Sequence, residues 1–179
     1  MAAVGLPVHD DVGRGARRRF REWRPLGPLT RYAGTWYEVA RYPNWFQRQC
    51  AGDVTAEYTL GPSDRIGVVN KCRKKDGSVA RAEGTARKAT PEGPDSQLKV
   101  RFAPAFLSFI PAVWGDYWVL GRGPDYSYAV VGDPSRKYVW ILSRTPRLEE
   151  RLYDEALAVV TANGFDASRL VRTSQQESD

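Results

Sequence analysis

From Gly34 to Arg144 the chain is written in short runs of apolar and polar residues, each cut off by a turn, with no helical period between them. Eight such runs are readable: 34–42, 53–60, 65–72, 79–88, 97–102, 116–121, 126–132 and 137–144. In "DVTAEYTL" Val54, Ala56, Tyr58 and Leu60 share one face, and in "RIGVVNKC" Ile66, Val68, Asn70 and Cys72 do. In "QLKVRF" Leu98, Val100 and Phe102 oppose Lys99 and Arg101. "GPSD", "KKDGS", "RGPD" and "DPSR" are the turns between runs. Consecutive strands without crossover helices pair antiparallel. Left open, that meander exposes two long edges; closing it into an up-and-down barrel removes both. The expectation is an all-β fold, an eight-stranded antiparallel up-and-down β-barrel. Eight strands leave an interior wide enough for side chains or one small ligand.

One α-helix follows the strands. Thr145 is expected as its N-cap, Pro146 at its first position, and Glu149 and Glu150 in its first turn. Leu148, Leu152, Ala156, Val159 and Val160 form an apolar stripe that packs on the outside of the barrel, and Asn163-Gly164 stops the helix. "SRLVRT" (168–173) reads as a short last strand.

The organisation expected is a disordered basic arm over 1–28, one domain over 29–173 and a disordered tail over 174–179. The arm holds six Arg against Asp10, Asp11 and Glu22, half of the net charge of +6. That run suits a solvated arm better than a nucleic-acid site, so no nucleic-acid partner is expected. It also resembles the start of an export signal, but no apolar segment follows and no cysteine precedes Cys50. Cys50 and Cys72 lie at predicted strand or loop ends and read as a disulfide, worth about 3 kcal/mol by loop closure and implying an oxidising compartment. Two unpaired small apolar residues are the alternative.

Up-and-down topology brings the start of the first strand beside the end of the eighth. Trp36 is therefore expected against Arg144, a cation over an indole that closes one end of the barrel. Gly34 belongs to the same floor, where a side chain would obstruct the entering chain.

"GTWYEVARYP", "GDYWVLGRGPDYSYAVVG" and "YVWILSRTP", in that order and followed by a helix, resemble the three signature regions of the lipocalins, nearest to the bacterial lipocalin and apolipoprotein D branch. The resemblance covers 29 to about 173. It implies an eight-stranded calyx, closed by Trp36 and Arg144, that binds a fatty acid, lysophospholipid or similar lipid, in transport or storage and in membrane maintenance or stress response. With the cysteine placement it also implies a periplasmic or outer-membrane-associated protein; without a visible signal or anchor cysteine, a cytoplasmic one stays open.

Parity and resemblance together give the expected ligand-binding set: Glu38 and Ala40 on strand one, then Tyr58, Asn70, Phe102, Tyr117 and Trp140. Aromatics with a few polar groups build small-molecule cavities, and they also fill solid barrels. Glu38 and Asn70 need partners inside, either water and ligand or hydrogen bonds to Tyr58 or Tyr117. The segment "FAPAFLSFIPAVWG" (102–115) joins strands five and six at the open end, and Phe106, Leu107, Phe109, Ile110 and Trp114 make it apolar. It suits contact with a membrane surface, a ligand entrance, a homodimer or its own rim.

No enzymatic activity is expected. The only histidine is His9 in the arm, which leaves no Ser-His-Asp or Cys-His arrangement, and neither a metal cluster nor a phosphate loop is present, so no cofactor is expected. The rival readings are a lipid-modifying enzyme with Cys72 as a pocket thiol and a nucleic-acid binder led by the arm.

Overall fold

A computed structural model describes residues 27–63, 65–102 and 114–176. The arm up to residue 26 and the apolar residues Phe106, Leu107, Phe109 and Ile110 lie outside them. Eight strands follow in order: β1 (Gly34–Arg41), β2 (Cys50–Leu60), β3 (Ile66–Lys74), β4 (Val79–Lys88), β5 (Gln97–Arg101), β6 (Gly115–Arg122), β7 (Tyr128–Gly132) and β8 (Val139–Ser143). Each pairs antiparallel with the next, and β1 pairs with both β8 and β2, so the sheet closes as expected. A four-residue helix α1 (Leu29–Tyr32) precedes the barrel; α2 (Glu150–Ala162) and the two-residue β9 (Val171–Arg172) follow it.

The floor forms where β1 begins and β8 ends. The Arg144 guanidinium lies 3.9 Å from the centroid of the Trp36 ring, and Trp36 has no exposed surface. Arg144 donates to the carbonyls of Arg31, Tyr32, Ala33 and Thr35 at 2.8–3.2 Å, so one side chain caps α1 and fixes the start of β1. The Trp36 Nε1 donates to the same Tyr32 carbonyl at 2.8 Å. Gly34 is needed for its backbone: φ is +98°, in the left-handed region, and a Cβ would lie 3.4 Å from Arg144 Nη1.

Two apolar layers flank the wall. One fills the lower interior with Trp36, Tyr58, Ile66, Val68, Leu98 and Val131. The other lies outside, where Leu120, Tyr128, Val130 and Ile141 meet Tyr153, Ala156, Val159 and Val160 of α2. Ala40 belongs to this outer layer and not to the interior. The reason is a β-bulge: Glu38 pairs with Leu142, Ala40 with Ile141 and Arg41 with Trp140, leaving Val39 as the extra residue. One inserted residue flips the parity, so Arg41 takes the inward position that alternation assigned to Ala40.

α2 also starts later than expected. Thr145 accepts from no helical N–H; its hydroxyl donates to the Arg147 carbonyl and its N–H to Ser143 Oγ, which makes a turn before Leu148 enters the outer layer. After α2 the chain returns to the barrel. β1 and β2 pair only from Gly34 to Tyr37, and above that point the C-terminal segment lies along β1. The Gln175 amide donates to the carbonyls of Glu38 on β1 and Val54 on β2, and Asp53 N–H donates to Ser174 O while Gln176 N–H donates to Asp53 Oδ1. Residues 173–176 therefore stitch the upper seam of the barrel, and the expected domain boundary at 173 falls within this stitch.

The floor carries two predictions for urea unfolding. Trp36→Ala should lose about 3–5 kcal/mol, the range for emptying a buried aromatic site. Gly34→Ala should lose about 1–2 kcal/mol, the penalty of left-handed backbone with a Cβ.

Candidate functional site

The inward side chains fall into two zones. Below, Trp36, Tyr58, Ile66, Val68, Leu98 and Val131 are buried. Above, inward residues remain partly open: Ala56, Asn70, Ala80, Val100, Tyr117 and Trp140 are half-buried, and Ala82 is exposed although it pairs with inward-facing Asn70 in the middle of the sheet. An exposed residue on the inner face of a central strand means that the upper barrel is not filled by its own side chains. The sequence of β4 explains this. Its inner face is Ala80, Ala82, Gly84 and Ala86, so one wall is stripped to methyl groups and backbone. Phe102 crosses this wall; a Cβ at Gly84 would come within 2.7 Å of its ring.

Where the zones meet, three phenols share hydrogen bonds. Tyr117 Oη lies 2.7 Å from Tyr32 Oη and 2.7 Å from Tyr58 Oη. Burial is the first cause that raises each of their pKa values, with Tyr58 pushed up to about 12 and Tyr32 and Tyr117 well above the ordinary phenol value. All three are neutral donors and acceptors at physiological pH. Of the two alternatives open for Asn70, a bond to Tyr58 or Tyr117 is not made: the phenols bond one another, and Asn70 Oδ1 is buried without a hydrogen bond among the described residues.

Glu38 faces inward but is occupied. Its Oε1 accepts from Arg41 at 2.6 Å and from the Thr173 hydroxyl at 2.5 Å, and its Oε2 accepts from Gln47 at 2.7 Å. Gln47 in turn accepts from Asn44 and from Trp140 Nε1. The carboxylate thus anchors the loop 42–49 and the C-terminal segment to the wall. Trp140 stacks on Tyr138 with centroids 6.0 Å apart and stands beside Phe46 at 6.3 Å, an aromatic rim on the β8 side. Arg41 and Gln47 were not readable as site residues: Arg41 depends on the bulge, and Gln47 on a loop whose only local signal is the Asn44 side chain accepting from Gln47 N–H.

Cys50 and Cys72 form a disulfide at the open end, with Cα atoms 5.5 Å apart. Both cysteines of the chain are in it, so the bridged protein offers no thiolate at Cys72. The phenols give a pH prediction. Their folded pKa values lie above those of the unfolded chain, near 10, so their neutral form stabilises the fold fully below that value and the contribution is lost as pH rises toward 12. Tyrosinate absorbance should show a late-ionising class whose titration coincides with loss of near-ultraviolet dichroism, and Tyr117→Phe should shrink that class.

Residues 28–175 match the family model described as the lipocalin-like domain. Temperature-induced lipocalin-1 of Arabidopsis thaliana is 44% identical over 150 residues, covering 83% of this chain and 80% of the plant protein. Outer membrane lipoprotein Blc of Escherichia coli K12 is 37% identical over 146 residues, covering 81% and 77%. Apolipoprotein D of Rattus norvegicus is 30% identical over 155 residues, covering 82% and 76%. Among solved structures, lobster apocrustacyanin A1 superposes with a TM-score of 0.63 at 22% identity over 83% of this chain and 79% of that one, a likeness of fold. A closed barrel with its Trp36–Arg144 floor, matched along nearly its whole length by these relatives, makes the chain a member of the lipocalin family.

Proposed function

We propose that this lipocalin binds and carries a small hydrophobic molecule, a fatty acid, lysophospholipid or similar lipid, in the upper half of its barrel. The observation that carries the reading is Ala82: exposed, inward-facing and flanked by the small residues of β4. Aromatic rings face that bare wall. Phe102, Tyr117 and Trp140 supply apolar and polarisable surface, half-buried Asn70 an amide, and Tyr58, through Tyr117, the polar base. A few polar groups in an otherwise apolar concavity fix the orientation of a ligand without restricting its tail. In this reading Glu38 positions the rim, and Ala40 serves the packing of α2. Binding without chemistry is the role the site supports, since the one nucleophile raised by the sequence, Cys72, is spent in the disulfide.

The disulfide supports work in an oxidising compartment. The name of the Escherichia coli relative places that protein at the outer membrane. By extension we place this chain in the periplasm or at the outer membrane. The plant relative is named for induction by temperature, which supports a part in membrane maintenance under stress.

Two measurements test these readings. Ala82→Trp should fill the bare wall and weaken binding of a fluorescent fatty acid by about tenfold or more, in line with the cost of removing apolar contact from a ligand, with the far-ultraviolet spectrum unchanged. Equal binding by this variant and the parent, or no displacement of the probe by any lipid, would refute a ligand in the upper barrel. For the compartment, maleimide labelling of denatured protein taken from cells should modify no cysteine before reduction and two after it.

A further inference from the structure

The large apolar side chains that the barrel leaves exposed cluster at its open end. Trp45 is 67% exposed, Val79 66%, and Phe46 and Phe102 43% each, whereas Leu60 stands by itself at the closed end with 40%. Trp45 and Phe46 sit on the first rim loop with their rings 5.6 Å apart, edge to face, and Val79 begins β4 on the outer surface beside the rim. Around this apolar rim the charge is positive. Lys71 faces Arg81 directly across β3 and β4, and Arg81 is itself paired with Glu83 at 2.7 Å. Lys71, Lys75 and Arg48 have no carboxylate within salt-bridge distance among the described residues.

The loops at the open end carry Arg48, Lys75, Arg136 and Lys137 against Asp76 and Asp133, and a further one, 102–114, has no charged residue. That local excess of positive charge attracts an anionic surface to the mouth.

We propose that the open end docks on a lipid bilayer bearing anionic headgroups: Trp45, Phe46 and Val79 enter the interfacial layer while Lys71, Lys75 and Arg48 meet the headgroups. Tryptophan at the headgroup level and basic residues beside it are the two components of peripheral membrane attachment. Charge complementarity selects this occupant over a second copy of the chain, because two mouths face to face would bring two positive collars together. The surface stands independently of what the interior holds, and it points the opening of the barrel at the bilayer.

The test is sedimentation of the full chain with vesicles of phosphatidylcholine alone and of phosphatidylcholine mixed with phosphatidylglycerol. Binding is expected on the mixed vesicles, weakening as salt is raised. Lys71→Glu combined with Lys75→Glu should weaken it by about tenfold or more, as expected for basic residues near an anionic surface. Trp45→Asp, at a position exposed enough to leave the fold intact, should also reduce it. Both variants keep the basic arm, so binding equal to that of the parent would assign attachment to the arm and overturn the proposal. Equal binding to neutral and anionic vesicles, or a mouth-to-mouth dimer that vesicles do not dissociate, would overturn it too. Fatty-acid binding in solution by the double lysine variant, expected to equal the parent, separates the outcomes: vesicle docking without any fatty-acid binding removes the carrier reading and leaves the docking surface standing.

Discussion

An arginine side chain keeps the barrel closed at its base, and most of the architecture depends on it. Arg144 stacks on Trp36 and satisfies four carbonyls where α1 turns into β1. That contact joins the first strand to the last at the level where the wall must close. It is half-buried, so its pKa is lowered, first by the loss of solvent, with the partial opposition of Tyr32 and Tyr126. Stacking and five donors in a rigid fork let a guanidinium serve an indole and several carbonyls together, which an ammonium does not do. Because the floor is built from this compact unit, the space above it does not have to be filled to keep the strands together.

Much of this was legible. Short alternating strands without crossovers dictated closure, closure dictated the neighbours of the first and last strands, and from that followed the pairing of Trp36 with Arg144. Gly34 was marked correctly as special, although the cause is its left-handed backbone together with the closeness of Arg144. The disulfide was read from two cysteines at predicted strand or loop ends; the structure adds that these are the same end of the adjacent strands β2 and β3.

What was not legible depends on single residues whose type carries no signal. Val39 and Ala40 are both apolar, so nothing in their composition announces that one of them is a bulge; the register with β8 does. The start of α2 was misread because Thr145 followed by Pro146 has the composition of a helix cap and the hydrogen bonds of a turn. The exposure of Ala82 lay hidden in β4, which reads as a weak strand since its inner face is Ala80, Ala82, Gly84 and Ala86. The weakness of the strand pattern and the bareness of that face have the same cause. The partners of Glu38 arise from a loop and from the end of the chain, at separations of 9 and 135 residues, beyond any local pattern.

The stitched seam has a consequence for synthesis. Between β1 and β2 the lower wall closes by strand pairing, but the upper wall needs Gln175 to bridge carbonyls at Glu38 and Val54. Gln175 stands 137 and 121 residues downstream of the two carbonyls that it bridges. Until residues 173–176 have been synthesised, the upper wall between β1 and β2 lacks this stitch. The carbonyls of Glu38 and Val54 then lack their donor, which is the condition in which sheet edges recruit other chains. The stretch that follows β9 thus fastens a seam laid down at the start of the domain.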